Sequence, residues 1–596
     1  MTDKDTLKLR TSPADFEILA SSFFSIAREM GLIMERTARS PIYFSSRDFI
    51  STTLTPQGEL ISMAQYIPLL VGATPFAVRA VTQYFGDDIN QGDIFLVNDP
   101  YSYDGGNHLA DWCIVYPVFY KGKLKFMLAQ KAHQMDTGGG VPGGYNPKAQ
   151  DIWAEGLRVP PVKIFERGQE RKDVLNLILT NVRAYAMQRG DLLSLIGASK
   201  IGEGRLVGLL DKHGEDTIST FITDVFDYAE FRIREKIGKL PDGTYHGEVR
   251  GISDAPPIVA DITINGSDML VDLRKSGPMV KEYINSSITN TYSSVWMAVL
   301  ASLGKKMERQ YRNMGCFKPI HILTTPGTIV HAVSPGTVGN CTLFVATQII
   351  EAIWDALSKV VPEEVSAGWG HQCVWVLSGL DPRRNERWGS PDFKSAAPGA
   401  GAIWGTDGWS GASPEISSGA CRSPDIEVFE DRFPIFMKKW ELVTDSGGPG
   451  KWRGGCGVEN IWVVDAGPEP VYAATQADPY VYEVAPAIKG GEMPPPSSKR
   501  IIFASGKEET NEDILRKEFY TLHTGDKAID FVQGGAGVGD PLERNIEAVR
   551  EDVRDELVSI ESARDDYGVV IDPITLEVDK EQTERLRRET KREQAK

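Results

Sequence analysis

GGNHLADWCIVYPVFYKGKLKFMLAQKAHQMDTGGG, residues 105–140, holds two of the chain's eight histidines, and the way it folds decides what the pair can do. IVYPVFY and KLKFMLAQ are runs rich in β-branched and aromatic residues on either side of Lys121-Gly122. Glycine takes positive φ without steric cost, so residues 114–131 read as a β-hairpin turning at that pair. With the turn centred there, facing positions sum to 243, and His133 stands opposite about position 110, within one or two residues. His133 then lies beside His108 and Asp111 at the open end of the hairpin.

Two imidazoles and a carboxylate converging in this way suit a divalent ion. Imidazole binds zinc, iron or manganese, the carboxylate adds negative charge, and three protein ligands leave positions open. Gly105 and Gly106 before the first histidine, and Gly138 to Gly140 after the second, permit close backbone approach to a ligand. Asp99, Asp104, Asp136 and Glu155 stand near in sequence and could orient the imidazoles or move protons. Spacing alone leaves open whether the histidines bind metal or are hydrogen-bonded packing residues. The remaining six, His213, His246, His321, His331, His371 and His523, are isolated and read as structural or exposed.

The rest of the chain sets the frame. At 596 residues and 41% hydrophobic it has material for two or three packed domains. Its formal charge of −17, with no basic block, argues against nucleic acid as a partner. Six scattered cysteines form no C-x-x-C pair, which suggests neither a zinc ribbon nor a disulfide framework and fits a reducing cytoplasm. MTDKDTLKLR has no apolar signal core, and no run of 18 apolar residues offers a membrane span.

Phe16, Leu19, Phe23, Ile26, Met30 and Ile33 recur at steps of three and four behind Ser12-Pro13, which predicts an opening helix with Ser12 as N-cap. DFISTTL and ELISMA predict two strands, 173–237 is helical, and Asn265-Gly266 predicts a second hairpin with a type I′ turn. Helices are also expected over 284–304 and 343–361. GAGAIWGTDGWSG and GGPGKWRGGCG are too glycine-rich for regular helix and predict tight turns between strands, or loops lining a cavity. The expected fold is α+β and multi-domain, with antiparallel hairpins, mixed sheets and glycine-rich loops. The expected segments are 1–240 with the candidate metal site, a central 241–394, a glycine-rich 395–540 and a helical tail 541–596. No P-loop, Rossmann fingerprint or G-x-S-x-G elbow occurs, so the chain shows no standard ATP site.

SPIYFSSRDF, VNDPY, GGNHLADW, AHQMDTGG, EGLRVPPVK, NVRAYAMQRGDL, SGGPGKWRGGCGV and GGAGVGDPLERNIEAVREDVRDELVSIESARDDYGVV, in this order, resemble the hydantoinase B/oxoprolinase family. The resemblance implies a hydantoinase A-like partner that binds ATP, in a hetero-oligomer such as α2β2. It maps a metal set onto His108, Asp111 and His133, and it differs at Gln134, where many relatives carry a further histidine. It implies that ATP activates a carbonyl in the partner before a metal-assisted step in this subunit. Hydrolysis of a cyclic amide, a lactam or hydantoin, is the first expectation. Carboxylation of a ketone is the alternative, and a noncatalytic scaffold subunit is the third. Asp136 is then expected beside the metal ligands, Glu155 as a proton-transfer group, and Arg158 as a bidentate holder of a phosphate or carboxylate or else a structural salt bridge. Tyr101, Tyr103, Trp112 and Trp153 are candidates for an apolar pocket wall.

Overall fold

The computed structural model describes residues 7–64, 66–250, 255–304, 306–392, 394–475 and 485–594. The chain divides into two compact units, Met1–Ala356 and Leu357–Lys596. Helices and largely antiparallel sheets occur in both, which is the expected α+β architecture.

Helix α1, Pro13–Thr37, begins as its sequence requires: Ser12 Oγ accepts the Asp15 N–H at 3.1 Å, and Pro13 occupies the first turn. Its buried stripe includes Phe16, Leu19, Phe23, Ile26 and Met30. That stripe packs on a seven-stranded antiparallel sheet formed by β1 (Phe49–Leu54), β2 (Leu60–Ala64), β3 (Ile94–Val97), β4 (Asp111–Tyr120), β5 (Lys123–His133), β6 (Val162–Glu166) and β7 (Gln169–Glu170). The spatial order is β2-β1-β5-β4-β3-β6-β7, so the predicted hairpin β4-β5 lies near the centre, with β1 on its other side. Helix α2, Tyr185–His213, lies against α1, and the contact is tight at Gly202, where a Cβ would stand 2.2 Å from Met30 Sδ. Phe23 meets Phe126 of β5 edge-on at 5.8 Å. β4 is buried almost throughout and β5 over its second half, so the open end of the hairpin is covered on both faces.

Lys121 and Gly122 have φ of 49° and 75°, the two left-handed residues of a type I′ turn. A bulge opposite Val118 and Phe119 adds one residue, Lys125, to β5 and advances the register by one. His133 consequently faces Asp111 itself rather than position 110. In the second hairpin Asn265 pairs with Asp268, so the turn residues are Gly266 and Ser267. Only Gly266 of the two has positive φ, 60°, which makes the turn type II′ instead of the expected I′. This hairpin belongs to a four-stranded sheet that also holds Gly243–Val249 and Ile320–Leu323.

The second unit has a four-stranded sheet (Glu386–Pro391, Trp375–Asp381, Val471–Thr475, Phe519–Leu522 in spatial order) and a five-stranded one (Ile435–Leu442, Val458–Val464, Lys527–Val532, Ser498–Ile502, Glu508–Glu509). Its glycine-rich segments pack on one another, main chain to main chain. A Cβ on Gly454 would meet Gly535 O at 1.8 Å, and one on Gly455 would meet Trp409 O at 2.0 Å. Gly455 and Gly535 donate to Ala400 O and Gly455 O at 2.9 Å each. These glycines therefore serve close backbone contact, which no side chain would permit.

A buried polar group lies in this unit. Lys499 Nζ donates to Cys373 O at 2.7 Å, sits 3.4 Å from Asp530 Oδ1 and stands 4.0 Å over the Trp375 ring. Asp530 also accepts from Trp375 Nε1 and Ser395 Oγ, at 2.8 and 3.1 Å, and Asn460 Nδ2 donates to both Asp392 and Ser395. Farther along, Arg544 grips Asp407 with two 2.7 Å bonds and also pairs with Asp552. The last helix, Lys580–Gln594, docks through Arg587 onto the carbonyls of Tyr567 and Arg544. Among the described residues no helix is long and apolar enough to cross a membrane.

Candidate metal centre

Residues directly opposed in an antiparallel pair share one face of the sheet. Asp111 opens β4 and His133 closes β5, and the register sets them side by side. On the far side of β5, Phe49 pairs with Ala132, and His133 N–H donates to Asp48 O at 3.1 Å. The register thus makes a row of Asp48, His133 and Asp111 across three neighbouring strands. His108 enters from the turn before β4 and returns its carbonyl to the Asp111 N–H at 3.3 Å.

The side chains of His108, Asp111 and His133 are buried, and one donor atom from each lies within 4.8 Å of the other two. Asp111 Oδ1 is 3.0 Å from His108 Nε2 and 3.2 Å from His133 Nδ1. Asp111 Oδ2 is held by Asn107 Nδ2 at 2.6 Å, which fixes the carboxylate. His108 Nδ1 lies 2.9 Å from Gly339 O, an acceptor that assigns the proton to Nδ1. Nε2 then presents a lone pair to a carboxylate oxygen and has no hydrogen-bond partner among the described residues. Two lone pairs at that distance call for a proton or a metal cation between them, and a mixed nitrogen and oxygen set of this kind fits a divalent metal. The residues present therefore fit the metal that the sequence suggested.

The local charges favour an ionised carboxylate. Burial alone would raise the Asp111 carboxyl, but the two imidazoles and Lys131 more than offset it and hold it well below the ordinary range. Burial lowers His133, yet its bond to Asp111 and the charge of Asp48 carry it above its ordinary value. Burial pushes Asp48 up to about 6, with the imidazoles opposing and Asp111 adding to the rise. The Tyr145 ring stacks on His133 with centroids 5.6 Å apart.

The other sequence-predicted residues have different partners. Glu155 is buried and receives the N–H groups of Val338 (2.9 Å) and Gly339 (2.7 Å). It braces the turn whose next carbonyl holds His108, and burial pushes its carboxyl up to about 8 despite those bonds. Asp136 accepts from Gly138, Gly143 and Arg183 N–H groups and from the Arg183 guanidinium, so it ties the glycine loop to the segment before α2. Arg158 donates to both oxygens of Asp99, at 3.2 and 3.0 Å. Trp112 is fully buried, while Trp153 and Tyr103 are 61% and 44% exposed, and none of them stacks on the histidines as Tyr145 does. Gln134 bonds Tyr43 OH at 2.6 Å. Gly106, Gly138 and Gly139 face protein backbone: a Cβ on Gly106 would meet Asn98 O at 1.9 Å, and one on Gly139 would meet Glu155 backbone at 2.8 Å.

Sequence reasoning missed Asp48, Asn107, Tyr145 and the 338–341 turn. Asp48 stood in a visible strand signal, DFISTTL, but the pairing of β1 with β5 spans some eighty residues and no local pattern announces it.

A buried set of two imidazoles and a carboxylate on a central antiparallel sheet makes a candidate metal centre. The chain belongs to the hydantoinase B/oxoprolinase family, whose model matches residues 12–541. It is 36% identical over 581 residues to the caprolactamase subunit beta of Pseudomonas jessenii, covering 94% of this chain and 96% of that one. It is 25% identical over 633 residues to the acetophenone carboxylase delta subunit of Aromatoleum aromaticum, covering 98% and 89%. The crystal structure of the ATP-dependent caprolactamase from Pseudomonas jessenii superposes with a TM-score of 0.88 at 34% identity, over 97% of this chain and 100% of that one.

Proposed function

We propose that this chain is the metal-bearing catalytic subunit of an ATP-dependent cyclic-amide hydrolase, paired with a hydantoinase A-like subunit that binds ATP, in a hetero-oligomer such as α2β2. The observation that carries the reading is the unpartnered His108 Nε2 facing Asp111 Oδ1 in a buried row that His133 completes. The ATP dependence and lactam substrate of the Pseudomonas jessenii relative support it.

His108, Asp111 and His133 would hold zinc, manganese or iron, and Asp48 faces the same row. A divalent ion there would supply Lewis-acid polarisation and a nucleophile at neutral pH. An amide carbonyl is a poor electrophile because resonance shares its electrons with nitrogen, so transfer of a phosphoryl group to its oxygen in the partner prepares it for attack by water. The residues here do the holding. Gly339 fixes the His108 tautomer, Asn107 fixes the Asp111 rotamer, and the Tyr145 ring shields His133 from bulk water. Glu155 acts by bracing the Val338–Gly339 turn, and Asp136 by bracing the glycine loop. Arg158 orders the 99–106 loop through Asp99.

The test is elemental analysis of the chain, alone and with its partner, followed by ATP-dependent turnover of lactams and hydantoins. Stoichiometric metal and hydrolysis independent of bicarbonate are expected. A strict bicarbonate requirement with a ketone substrate would assign the chain to carboxylation instead, and metal-free protein of full activity would remove the centre from the mechanism.

A further inference from the structure

Asn340 has neighbours on both sides that touch the Asn107–His108 segment. The Gly339 carbonyl receives the His108 Nδ1 proton, and the Cys341 thiol lies 3.6 Å from the carbonyl of Asn107. Its own backbone is tied down: the N–H donates to Tyr283 O at 2.9 Å, and the carbonyl accepts from Leu343 and Phe344 at 3.2 Å. The side chain is fully buried, yet neither Nδ2 nor Oδ1 has a hydrogen-bond partner among the described residues. Buried carboxamides are rarely left so, because each unmade bond keeps the cost of removing the group from water. Exchanging the amide oxygen and nitrogen repairs nothing when both are unpaired. Asn107 Oδ1 and His108 Nε2 are unpartnered as well, so the unsatisfied atoms gather on two short segments joined by the His108–Gly339 bond.

We propose that the Asn340 carboxamide reads the substrate's amide nitrogen, and so selects cyclic amides over ketones. The inference rests on the cyclic-amide reading above. A free lactam nitrogen is a donor, and Oδ1 accepts its N–H. The amide phosphorylated on oxygen from ATP in the partner has released its N–H proton to solvent there and reaches Asn340 with a C=N nitrogen that accepts from Nδ2. Addition of water to the carbon, with a water proton passing to that nitrogen, makes it a donor to Oδ1 again. A primary carboxamide is the neutral side chain that offers both an acceptor and a donor from one planar group. Its two unpaired atoms match a nitrogen whose hydrogen-bonding role reverses along the reaction. A ketone of equal ring size has no such nitrogen, and leaves both atoms of Asn340 unpaired.

The experiment uses the full chain with its ATP-binding partner, ε-caprolactam as substrate and cycloheptanone as the competing ligand. Wild type should bind the lactam on the order of 10-fold more tightly than the ketone. Asn340→Leu should abolish that preference and lower kcat/KM on the order of 100-fold, with the metal content of the purified chain unchanged. Asn340→Asp keeps the shape and the acceptor but lacks the N–H donor, and should bind the lactam while losing turnover, a split between KM and kcat that a structural role would not give. Retained preference and rate in Asn340→Leu would overturn the proposal. So would loss of metal together with activity, since Asn340 would then act through Gly339 and His108. Wild type inert toward every lactam and hydantoin tried would instead defeat the functional reading, and the assignment to Asn340 would fall with it.

Discussion

Each unit of the chain buries a polar group, and the two are finished differently. In the second unit Lys499, Asp530, Asp392, Ser395, Asn460 and Trp375 bond one another, and among their described side-chain polar atoms only Asn460 Oδ1 lacks a partner. In the first unit His108 Nε2, Asn107 Oδ1 and both amide atoms of Asn340 lack one. A network closed on itself can be held for structure, whereas one whose unmet atoms are clustered has been left incomplete for something else to finish. Burial and charge are alike in the two groups, so it is satisfaction of the polar atoms that separates a structural cluster from a candidate site.

The sharpest way to break this comparison is to remove a member of each group. His133→Ala should lower ATP-dependent turnover by roughly 1000-fold or more, and should empty the chain of metal by elemental analysis, while the thermal transition of the protein already stripped by chelator barely moves. Lys499→Met should do the reverse. It leaves Asp530 buried without its cation, a loss of about 3–5 kcal/mol in urea denaturation followed by tryptophan fluorescence, with turnover per folded molecule intact. Equal effects of both substitutions on turnover would erase the distinction.

Glu155 offers a finer test. Its carboxyl sits at about 8 in the folded chain against 4.5 when exposed, because burial outweighs the bonds from Val338 and Gly339. The folded protein therefore keeps a proton that the unfolded chain has released across that window, and stability falls as pH rises from about 4.5 to 8, then levels off. Glu155→Gln removes this term, so its denaturation midpoint should vary less than wild type between pH 5 and 8.5. Its metal affinity should fall by about 10-fold as the turn behind His108 loosens. Parallel pH profiles would show that Glu155 stays ionised throughout.

Much of this was legible where the signal was local. The hairpin, its turn at Lys121-Gly122 and the convergence of His108, Asp111 and His133 follow from alternation and one glycine. The opening helix and its Ser12 cap follow from periodicity. What escaped depended on distant pairing. Asp48 reaches the row through β1, and Gly339 and Asn340 come from a turn more than two hundred residues after His108. The glycines misled for a related reason. Their freedom was read as room for a ligand, but at Gly106 and Gly139 it is taken up by the protein's own carbonyls. Arg158 and Asp136 were near in sequence, yet their charges are spent on Asp99 and Arg183.

The single extra residue of β5, Lys125 between Leu124 and Phe126, has an effect out of proportion to its size. Distance along each strand from the turn is what brings Asp111 level with His133, so the two arms work like a pair of rulers zeroed at the tip. Hairpin tips are ordinarily where lineages add or drop residues freely. Here any one-residue change in either arm beyond the tip would slide Trp112 or Ala110 into place against His133 and turn the carboxylate to the opposite side of the sheet. The length of this loop is thus part of the ligand set, although none of its own side chains touches the centre.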